Sequence, residues 1–272
     1  MLPNMASRIA STIFAWTLLV LSTGTFAQTR PALTRLDSDA ARSFLWVGNS
    51  FFYYNNSMHS HVGALSAAAS PGKALRGVSV TISGSGLDWH DIASYLRPDG
   101  IGRYSFVGNN EIQFNKPGRQ FDAAIMMDCS QCPINPQLKP VFHESVKKDA
   151  EILLRQGIQP VLFMSWAYKD KPEMTQQLAE QYTLAGNANH ALVIPAGLAF
   201  ARAIAARPAL ELYQPDLRHP SLAGTYLAAC AVFGAVAGKS PVGNTYTAGL
   251  DSELAGFLQK TAWDTLQAYY AQ

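Results

Sequence analysis

Two short stretches near opposite ends of the chain hold the residues best suited to nucleophilic chemistry. The first reads Phe44-Leu-Trp-Val-Gly-Asn-Ser50, an apolar run that ends abruptly in small polar residues. Such a run predicts a buried strand, and parallel α/β sheets place working side chains just beyond the carboxyl end of a strand. Ser50 is therefore a candidate nucleophile, although a Gly-Asn-Ser triplet on its own is more often a simple turn.

The second stretch supplies a candidate base and the acid that would orient it. Asp216 lies three residues before His219, and an acid in that position can orient an imidazole that accepts a proton from a serine. The three groups need only meet in space, so their separation in sequence is no objection. Taken alone, Asp216 fits a turn former and His219 fits a helix entry before Pro220. Together with Ser50, they predict a Ser-His-Asp nucleophilic site.

The elements that must position these residues alternate between strands and helices. Apolar runs predict strands at residues 43–47, 77–83, 121–127, 159–164 and 191–194. Helical patterns are predicted at residues 57–69, 136–156, 171–185, 198–207, 221–238 and 251–270. Residues 97–120 show no periodicity and predict a long loop or a small hairpin. The alternation predicts a parallel sheet covered on both faces, with no linker that divides the chain.

Composition excludes several classes of protein. Of the 272 residues, 48% are apolar and only 15% are charged, which predicts a substantial core. The 21 basic and 19 acidic residues give a net charge of +2, too balanced to favour nucleic acid or an anionic membrane surface. The sequence has no internal repeat and no charge block, which argues against a solenoid or scaffold protein.

The N-terminus carries the pattern of a secretory signal peptide. Arg8 precedes the apolar residues 13–21, and small residues lead to Ala27. The apolar segment is short for a bilayer span, and no cysteine marks a lipoprotein cleavage site. We therefore predict a signal peptide at residues 1–27, a single domain at 28–272 and a periplasmic or secreted protein. A retained membrane anchor is the alternative.

Three cysteines leave two structural options and one chemical option. In an oxidising compartment Cys129 and Cys132 could close a small disulfide, or they could be free thiols, with Cys230 buried as a small hydrophobe. A Cys-x-x-Cys can also mark a redox enzyme, but Pro133 follows at once where a helix should start. Two cysteines without a second pair or adjacent histidines make a poor zinc site.

The two end motifs together resemble the SGNH/GDSL hydrolase superfamily. The likeness rests on Gly48-Asn49-Ser50 and on Asp216-x-x-His219-Pro-Ser. The longer His-Pro-Ser-x-x-Gly-Thr-Tyr-Leu form is similar to a bacterial branch of uncharacterised predicted esterases, and the likeness covers nearly all of residues 28–272. It implies a flavodoxin-like three-layer α/β/α sandwich with a central, mostly parallel five-stranded sheet.

The resemblance also implies an oxyanion hole, from which this chain departs at one position. The backbone amides of Ser50 and Gly84 would be donors, although Gly84 without the family context fits a simple strand-to-helix turn. Where this branch tends to carry a Gln, the chain has Met127, and a Met side chain cannot donate a hydrogen bond. Ser130, Gln131 or a backbone amide must then replace that donor, or the donor is missing.

Four side chains are predicted to line the substrate crevice. Asn49 precedes the nucleophile, His90 resembles a family position that faces the site, and Asp128 takes the position of a Glu in the branch. Trp166 follows the fourth strand, where it could also cap the core. Four aromatic side chains could stack on sugar rings: Trp46, Trp89, Trp166 and Tyr168.

The predicted function is an exported serine hydrolase that cleaves an ester through an acyl-enzyme on Ser50. The resemblance favours a carbohydrate O-acetyl ester as substrate, with other short acyl esters open. The mechanism requires no cofactor and no metal. Two alternatives remain: an SGNH-fold module that binds carbohydrate without cleaving it, motivated by Met127, and a periplasmic redox protein that uses Cys129 and Cys132.

Overall fold

A parallel β-sheet carries the fold. The computed structural model of the protein describes residues 29–106, 109–116 and 118–271. The five strands of this sheet are β1 (Ser43–Gly48), β2 (Arg76–Thr81), β5 (Ala123–Met126), β6 (Gln159–Phe163) and β7 (Leu192–Ile194). The remaining two strands, β3 (Tyr104–Phe106) and β4 (Ile112–Phe114), pair antiparallel in a hairpin within the stretch predicted to be a loop or small hairpin.

Helices connect the strands of the sheet and cover it. They are α1 (Ser50–Tyr53), α2 (Met58–Ala69), α3 (Ile92–Tyr95), α4 (Lys139–Arg155), α5 (Met174–Ala188), α6 (Ala196–Ala206), α7 (Leu222–Ala237) and α8 (Ser252–Tyr270). Local sequence fixes several starts: the Ser221 hydroxyl accepts from the Gly224 amide before α7, and the Asp251 carboxylate accepts from two amides before α8.

The order of the strands predicts where a ligand would bind. The order is β2-β1-β5-β6-β7, so the chain runs outward from β1 in both directions. Right-handed crossovers then place α2 on one face and α4 and α5 on the other. Ligands bind in such folds at the point where the direction reverses, beyond the carboxyl ends of β1 and β5. The predicted α/β fold with a central five-stranded parallel sheet is confirmed.

The core explains why the strands read as apolar runs. Every residue of β5 and β6 is buried, as expected for central strands covered on both faces. Helix α7 packs closely because its residues are small: a Cβ at Gly224 would lie 2.3 Å from the carbonyl oxygen of Leu212. That contact seats α7 directly against the segment that leads to Asp216 and His219.

The N-terminal prediction falls on residues that lie outside the described part of the chain, since the predicted signal peptide spans residues 1–27 and the description begins at residue 29. Within residues 29–106, 109–116 and 118–271, no helix has both the length and the apolar character needed to cross a membrane.

Candidate active site

The candidate nucleophile lies on a tight turn between β1 and α1. A Cβ at Gly48 would lie 2.9 Å from the Phe52 ring, so glycine is what allows α1 to fold back over the end of the strand. Asn49 caps the helix, because its Oδ1 accepts from the Phe51 amide at 3.2 Å. Ser50 is the first residue of α1 and is 7% exposed, so its hydroxyl lies at the edge of the buried sheet.

The candidate base lies on a closed loop between α6 and α7. Residues Tyr213 and Pro220 form an antiparallel bridge, and the Gln214 amide donates to the His219 carbonyl at 2.8 Å. The Trp166 indole donates its N–H to the Arg218 carbonyl at 3.0 Å. These bonds fix the main chain on both sides of the imidazole.

The structure brings Ser50, His219 and Asp216 into one hydrogen-bonded chain. His219 Nε2 lies 2.8 Å from Ser50 Oγ, and His219 Nδ1 is hydrogen-bonded to Asp216 Oδ2. Asp216 Oδ1 accepts from the backbone amides of Arg218 and His219, each at 2.9 Å. An ionised carboxylate can only accept, so Nδ1 carries the proton and Nε2 is free to accept from the serine hydroxyl.

The electrostatics of the acid suit this arrangement. Partial burial works against the charged form of Asp216, but the hydrogen bonds from the His219 ring and from two backbone amides outweigh it and lower the pKa of Asp216 to about 2. The carboxylate therefore stays ionised at any pH at which an imidazole could act as a base. The geometry can support nucleophilic attack by Ser50 with His219 as proton acceptor.

Two aromatic rings surround the imidazole. The Tyr54 ring stacks on the His219 ring with centroids 4.2 Å apart and an interplanar angle of 11°. Phe51 presents its edge to the same imidazole at 5.5 Å. Neither residue was predicted from the sequence to act at the site.

Asn49 ties together the segments that follow three strands. Its Nδ2 donates to the Ser85 carbonyl at 2.9 Å and to the Asp128 carbonyl at 3.2 Å. These carbonyls belong to the turns after β2 and β5, on either side of β1. The side chain is 4% exposed and links the turns that follow β1, β2 and β5.

The prediction of substrate-lining side chains is corrected by burial for the other three residues as well. His90 is 3% exposed and hydrogen-bonded to Ser85 Oγ at 3.0 Å, and burial lowers its pKa. Asp128 accepts from the Leu87 amide at 3.2 Å, and burial raises its pKa to about 6. Trp166 is fully buried between the stacked rings of Phe51 and Phe200. Each of these three side chains is at most 3% exposed and is held by contacts inside the protein.

Most of the predicted aromatic platforms are buried for the same reason. Trp46 is 2% exposed and Tyr168 is 5% exposed, whereas Trp89 is 60% exposed. Large aromatic side chains complete the core where the strands end, so their position beyond a strand does not place them in solvent. Of the four residues predicted to stack on sugar, Trp89 alone has its ring in solvent.

The candidate oxyanion donors lie on the turns that follow β2 and β5. Gly84 adopts the left-handed φ of +73° that favours glycine, two residues after Ile82, whose amide donates to the Gly48 carbonyl at 3.0 Å. Ser130 Oγ and Gln131 Nε2 both contact the Tyr168 hydroxyl, at 2.7 and 2.9 Å.

The cysteine pair forms a disulfide, as one of the predicted options had it. Cys129 and Cys132 are bonded, and Cys230 is a buried free thiol. Asp128 and the two bonded cysteines lie close enough together for metal coordination, but disulfide sulfurs are not thiolate ligands. The residues present therefore do not make a metal centre there.

Comparison with known proteins places the fold. No protein-family model matches the chain, and neither does any curated protein. A DUF4886 family protein from Bacteroides uniformis is similar with a TM-score of 0.57 and 17% identity, over 85% of this chain and 95% of that one. A candidate SGNH hydrolase from Slackia heliotrinireducens is similar with a TM-score of 0.53 and 22% identity, over 72% of this chain and 98% of that one. Axe2, an acetylxylan esterase from Geobacillus stearothermophilus, is similar with a TM-score of 0.50 and 15% identity, over 70% of this chain and 92% of that one.

These similarities concern the architecture. The chain has an SGNH hydrolase-like α/β fold, and its structural neighbours include esterases of that kind. At these identities the likeness does not extend to individual residues. The roles of Ser50, Asp216 and His219 therefore rest on the geometry described above.

Proposed function

We propose that the protein is an exported serine hydrolase that cleaves an ester through an acyl-enzyme on Ser50. The observation that carries the proposal is the hydrogen-bonded chain from Ser50 through the His219 ring to Asp216, with 2.8 Å between Ser50 Oγ and His219 Nε2. These three hydrogen-bonded residues lie beyond the carboxyl ends of the parallel strands, where such folds bind ligands.

The proposed reaction has two halves. In the first, Ser50 Oγ attacks the ester carbonyl while His219 Nε2 takes the hydroxyl proton, and Asp216 stabilises the imidazolium. His219 then gives that proton to the departing alkoxide, which leaves as an alcohol, and the acyl group stays on Ser50. In the second, His219 activates a water molecule that attacks the acyl-enzyme and releases the acid.

The oxyanion would be stabilised by backbone amides of Ser50 and Gly84. We propose the Ser130 hydroxyl as the third hydrogen-bond donor of the oxyanion hole. The Tyr168 hydroxyl accepts from Gln131 Nε2 at 2.9 Å, and in the proposed arrangement it donates its own proton to Ser130 Oγ at 2.7 Å. The Ser130 hydroxyl proton is then left to donate to an oxyanion, in place of the donor lost at Met127.

A short acyl ester of a carbohydrate is the substrate class we propose. Axe2, a structural neighbour, is an acetylxylan esterase, which supports an acetyl ester. Two exposed aromatic side chains lie on segments that follow β1 and β2: Tyr53, at the end of α1, is 39% exposed, and Trp89, after the turn that holds Gly84, is 60% exposed. Such rings can stack on the apolar faces of sugars. Export is supported by the signal-peptide pattern and by the disulfide, because disulfides persist in oxidising compartments.

The test is hydrolysis of p-nitrophenyl acetate by the purified mature protein beside Ser50→Ala and His219→Ala. We expect turnover by the wild type and a loss of about 10³-fold or more in each variant. Matched controls on the surface are Ser60→Ala and His190→Ala, both at exposed positions, which should keep wild-type rates.

Two other outcomes would contradict the proposed function in different ways. If Ser50→Ala hydrolyses as fast as the wild type, the nucleophile is wrong. The second outcome is that the wild type hydrolyses neither nitrophenyl esters nor acetylated oligosaccharides above the buffer blank. If the wild type and Ser50→Ala then bind the oligosaccharide equally well, the non-hydrolytic binding module is favoured.

A further inference from the structure

The residue that directly follows α1 contacts the candidate base. Tyr54 is half-buried, and its ring lies face to face with the His219 imidazole, 4.2 Å between centroids and 11° from parallel. Its backbone amide donates to the Ser50 carbonyl at 3.1 Å. Tyr54 therefore connects the nucleophile's own helix to the ring that would deprotonate the nucleophile.

The next residue, Asn55, connects the same two segments through its side chain. Asn55 Nδ2 donates to the Pro220 carbonyl at 2.9 Å and to Thr225 Oγ1 at 2.8 Å. Both protons of the side-chain amide are thus used, one on the residue after His219 and one on α7. These contacts join positions 165 and 170 residues apart in the chain.

Asn55 is itself held in place from below. Its carbonyl lies 2.6 Å from His61 Nε2, and the other nitrogen of that buried ring lies 2.7 Å from the Tyr246 hydroxyl. The backbone of Asn55 is left-handed, with φ of 54°, a conformation that asparagine tolerates better than most residues. A residue fixed in this way can transmit position to whatever it binds.

We propose that Tyr54 and Asn55 form a base-positioning segment that sets the orientation and the proton affinity of His219. This proposal rests on the hydrolytic function proposed above. Asn55 fixes the main chain next to His219, and Tyr54 fixes the plane of the imidazole. The negative face of the tyrosine ring also favours the imidazolium that forms when Ser50 loses its proton.

Among the described residues, Asp216 is the charged group hydrogen-bonded to the imidazole. Asp216 binds Nδ1 on the same loop, and the Arg218 guanidinium lies over the Tyr168 ring at 4.7 Å. Lys169 donates its backbone amide to the Leu217 carbonyl, and its ammonium pairs with Glu211 at 2.8 Å. None of these groups is on α1 or the turn after it, so a change at Tyr54 leaves them in place.

The first test compares Tyr54→Leu with Tyr54→Phe. The acid limb of the profile of kcat/KM against pH reports the essential base of the free enzyme. Removal of the ring should move this limb about half a pH unit lower, whereas Tyr54→Phe should leave it in place. A ring-fluorinated phenylalanine at position 54 keeps the shape but weakens the negative face, so it should move the limb in the same direction as Tyr54→Leu.

A second readout does not depend on activity. In a proton NMR titration, the His219 ring signals are identified by their loss in His219→Asn. Ring-current shielding by Tyr54 should vanish in Tyr54→Leu and persist in Tyr54→Phe. The NMR titration midpoint should move with the acid limb.

The second test concerns Asn55 and has a matched neighbour as control. Asn55→Ala removes both cross-links, so we expect kcat to fall about ten- to a hundredfold with little change in KM, because misplacement of a catalytic group affects the chemical step. Asn56→Ala alters the adjacent exposed asparagine, which has a similar φ of 68°, and should keep wild-type kcat.

The two proposals can fail separately. If the wild type hydrolyses no ester, the proposed function fails, but the NMR comparison still decides whether Tyr54 stacks on His219 and sets its titration. An unmoved or raised midpoint in both Tyr54→Leu and the fluorinated variant would overturn the role of Tyr54. Equal losses of kcat in Asn55→Ala and Asn56→Ala would overturn the role of Asn55.

Discussion

A buried carboxyl on α4 gives a prediction with a sign and a size. Asp149 is 1% exposed, and its Oδ2 has no hydrogen-bond partner among the described residues. Burial raises the pKa of Asp149 to about 7, the carboxylates of Asp128 and Asp91 add to the rise, and Lys148 opposes it. The folded protein therefore holds this proton to near-neutral pH.

The raised pKa costs stability as the pH increases. The unfolded chain ionises this carboxyl near its ordinary pKa of 3.8, whereas the folded protein ionises it near 7. Between those values the folded state binds more protons than the unfolded state, so the free energy of unfolding falls as the pH rises. Each pH unit is worth about 1.4 kcal/mol, so the full window costs about 4 kcal/mol. Below this pH window the ionisation of Asp149 does not lower the free energy of unfolding, and above the window the loss stays constant.

Asp149→Asn removes the ionisation and should remove this pH dependence. We expect the free energy of unfolding of the variant, relative to wild type, to rise by up to about 4 kcal/mol from about pH 4 to about pH 8. Urea denaturation followed by circular dichroism at a series of pH values measures it, with Asp170→Asn, at an exposed position, as the control. A difference from wild type that stays constant over this range would refute the reasoning, since the carboxyl would then ionise normally in the folded protein.

Two further substitutions test the supports of the site. Trp166→Phe keeps a ring in the stack but leaves the Arg218 carbonyl without the indole N–H. The unfolding free energy should therefore fall by about 1–3 kcal/mol, and kcat should fall at constant KM. Wild-type values in urea denaturation and kinetics would contradict this. Changing Cys129 and Cys132 together to Ser should lower the unfolding free energy by about 2 kcal/mol through loop entropy and leave ester hydrolysis in place. Loss of hydrolysis without loss of folding would contradict this and would indicate that the disulfide positions the enclosed residues Ser130 and Gln131.

The fold could be predicted because its signals are local and repeated. The residues of β5 and β6 are buried on both faces, so they appear in the sequence as unbroken apolar runs. The boundaries were less accurate: α4 was predicted from residue 136 but begins at Lys139. The preceding residues close a turn instead, in which the Asn135 carbonyl accepts from the Lys139 amide.

The candidate chemistry was readable for a different reason. Ser50, Asp216 and His219 each have a common structural interpretation when taken alone, but together they match one chemical pattern, and the structure brings them together. The burial of Trp166 could not be predicted, because proximity to a strand end does not say on which side of the main chain a side chain lies, and the lining role of His90 came from the family resemblance alone. Trp166 is fully buried and His90 is 3% exposed.

Several of the positioning contacts could not be predicted because their acceptors are backbone carbonyls. Asn49 donates to Ser85, Asn55 to Pro220 and Trp166 to Arg218, each time to a main-chain oxygen. Every residue has such an oxygen, so the identity of the acceptor residue gives no signal, and only the donor's type is visible in the sequence. A donor in a loop is equally compatible with solvent, with a local turn or with a distant carbonyl. In this protein the distant carbonyls hold the nucleophile turn against the base, so the part of the site that sets its geometry is the part that residue types do not encode.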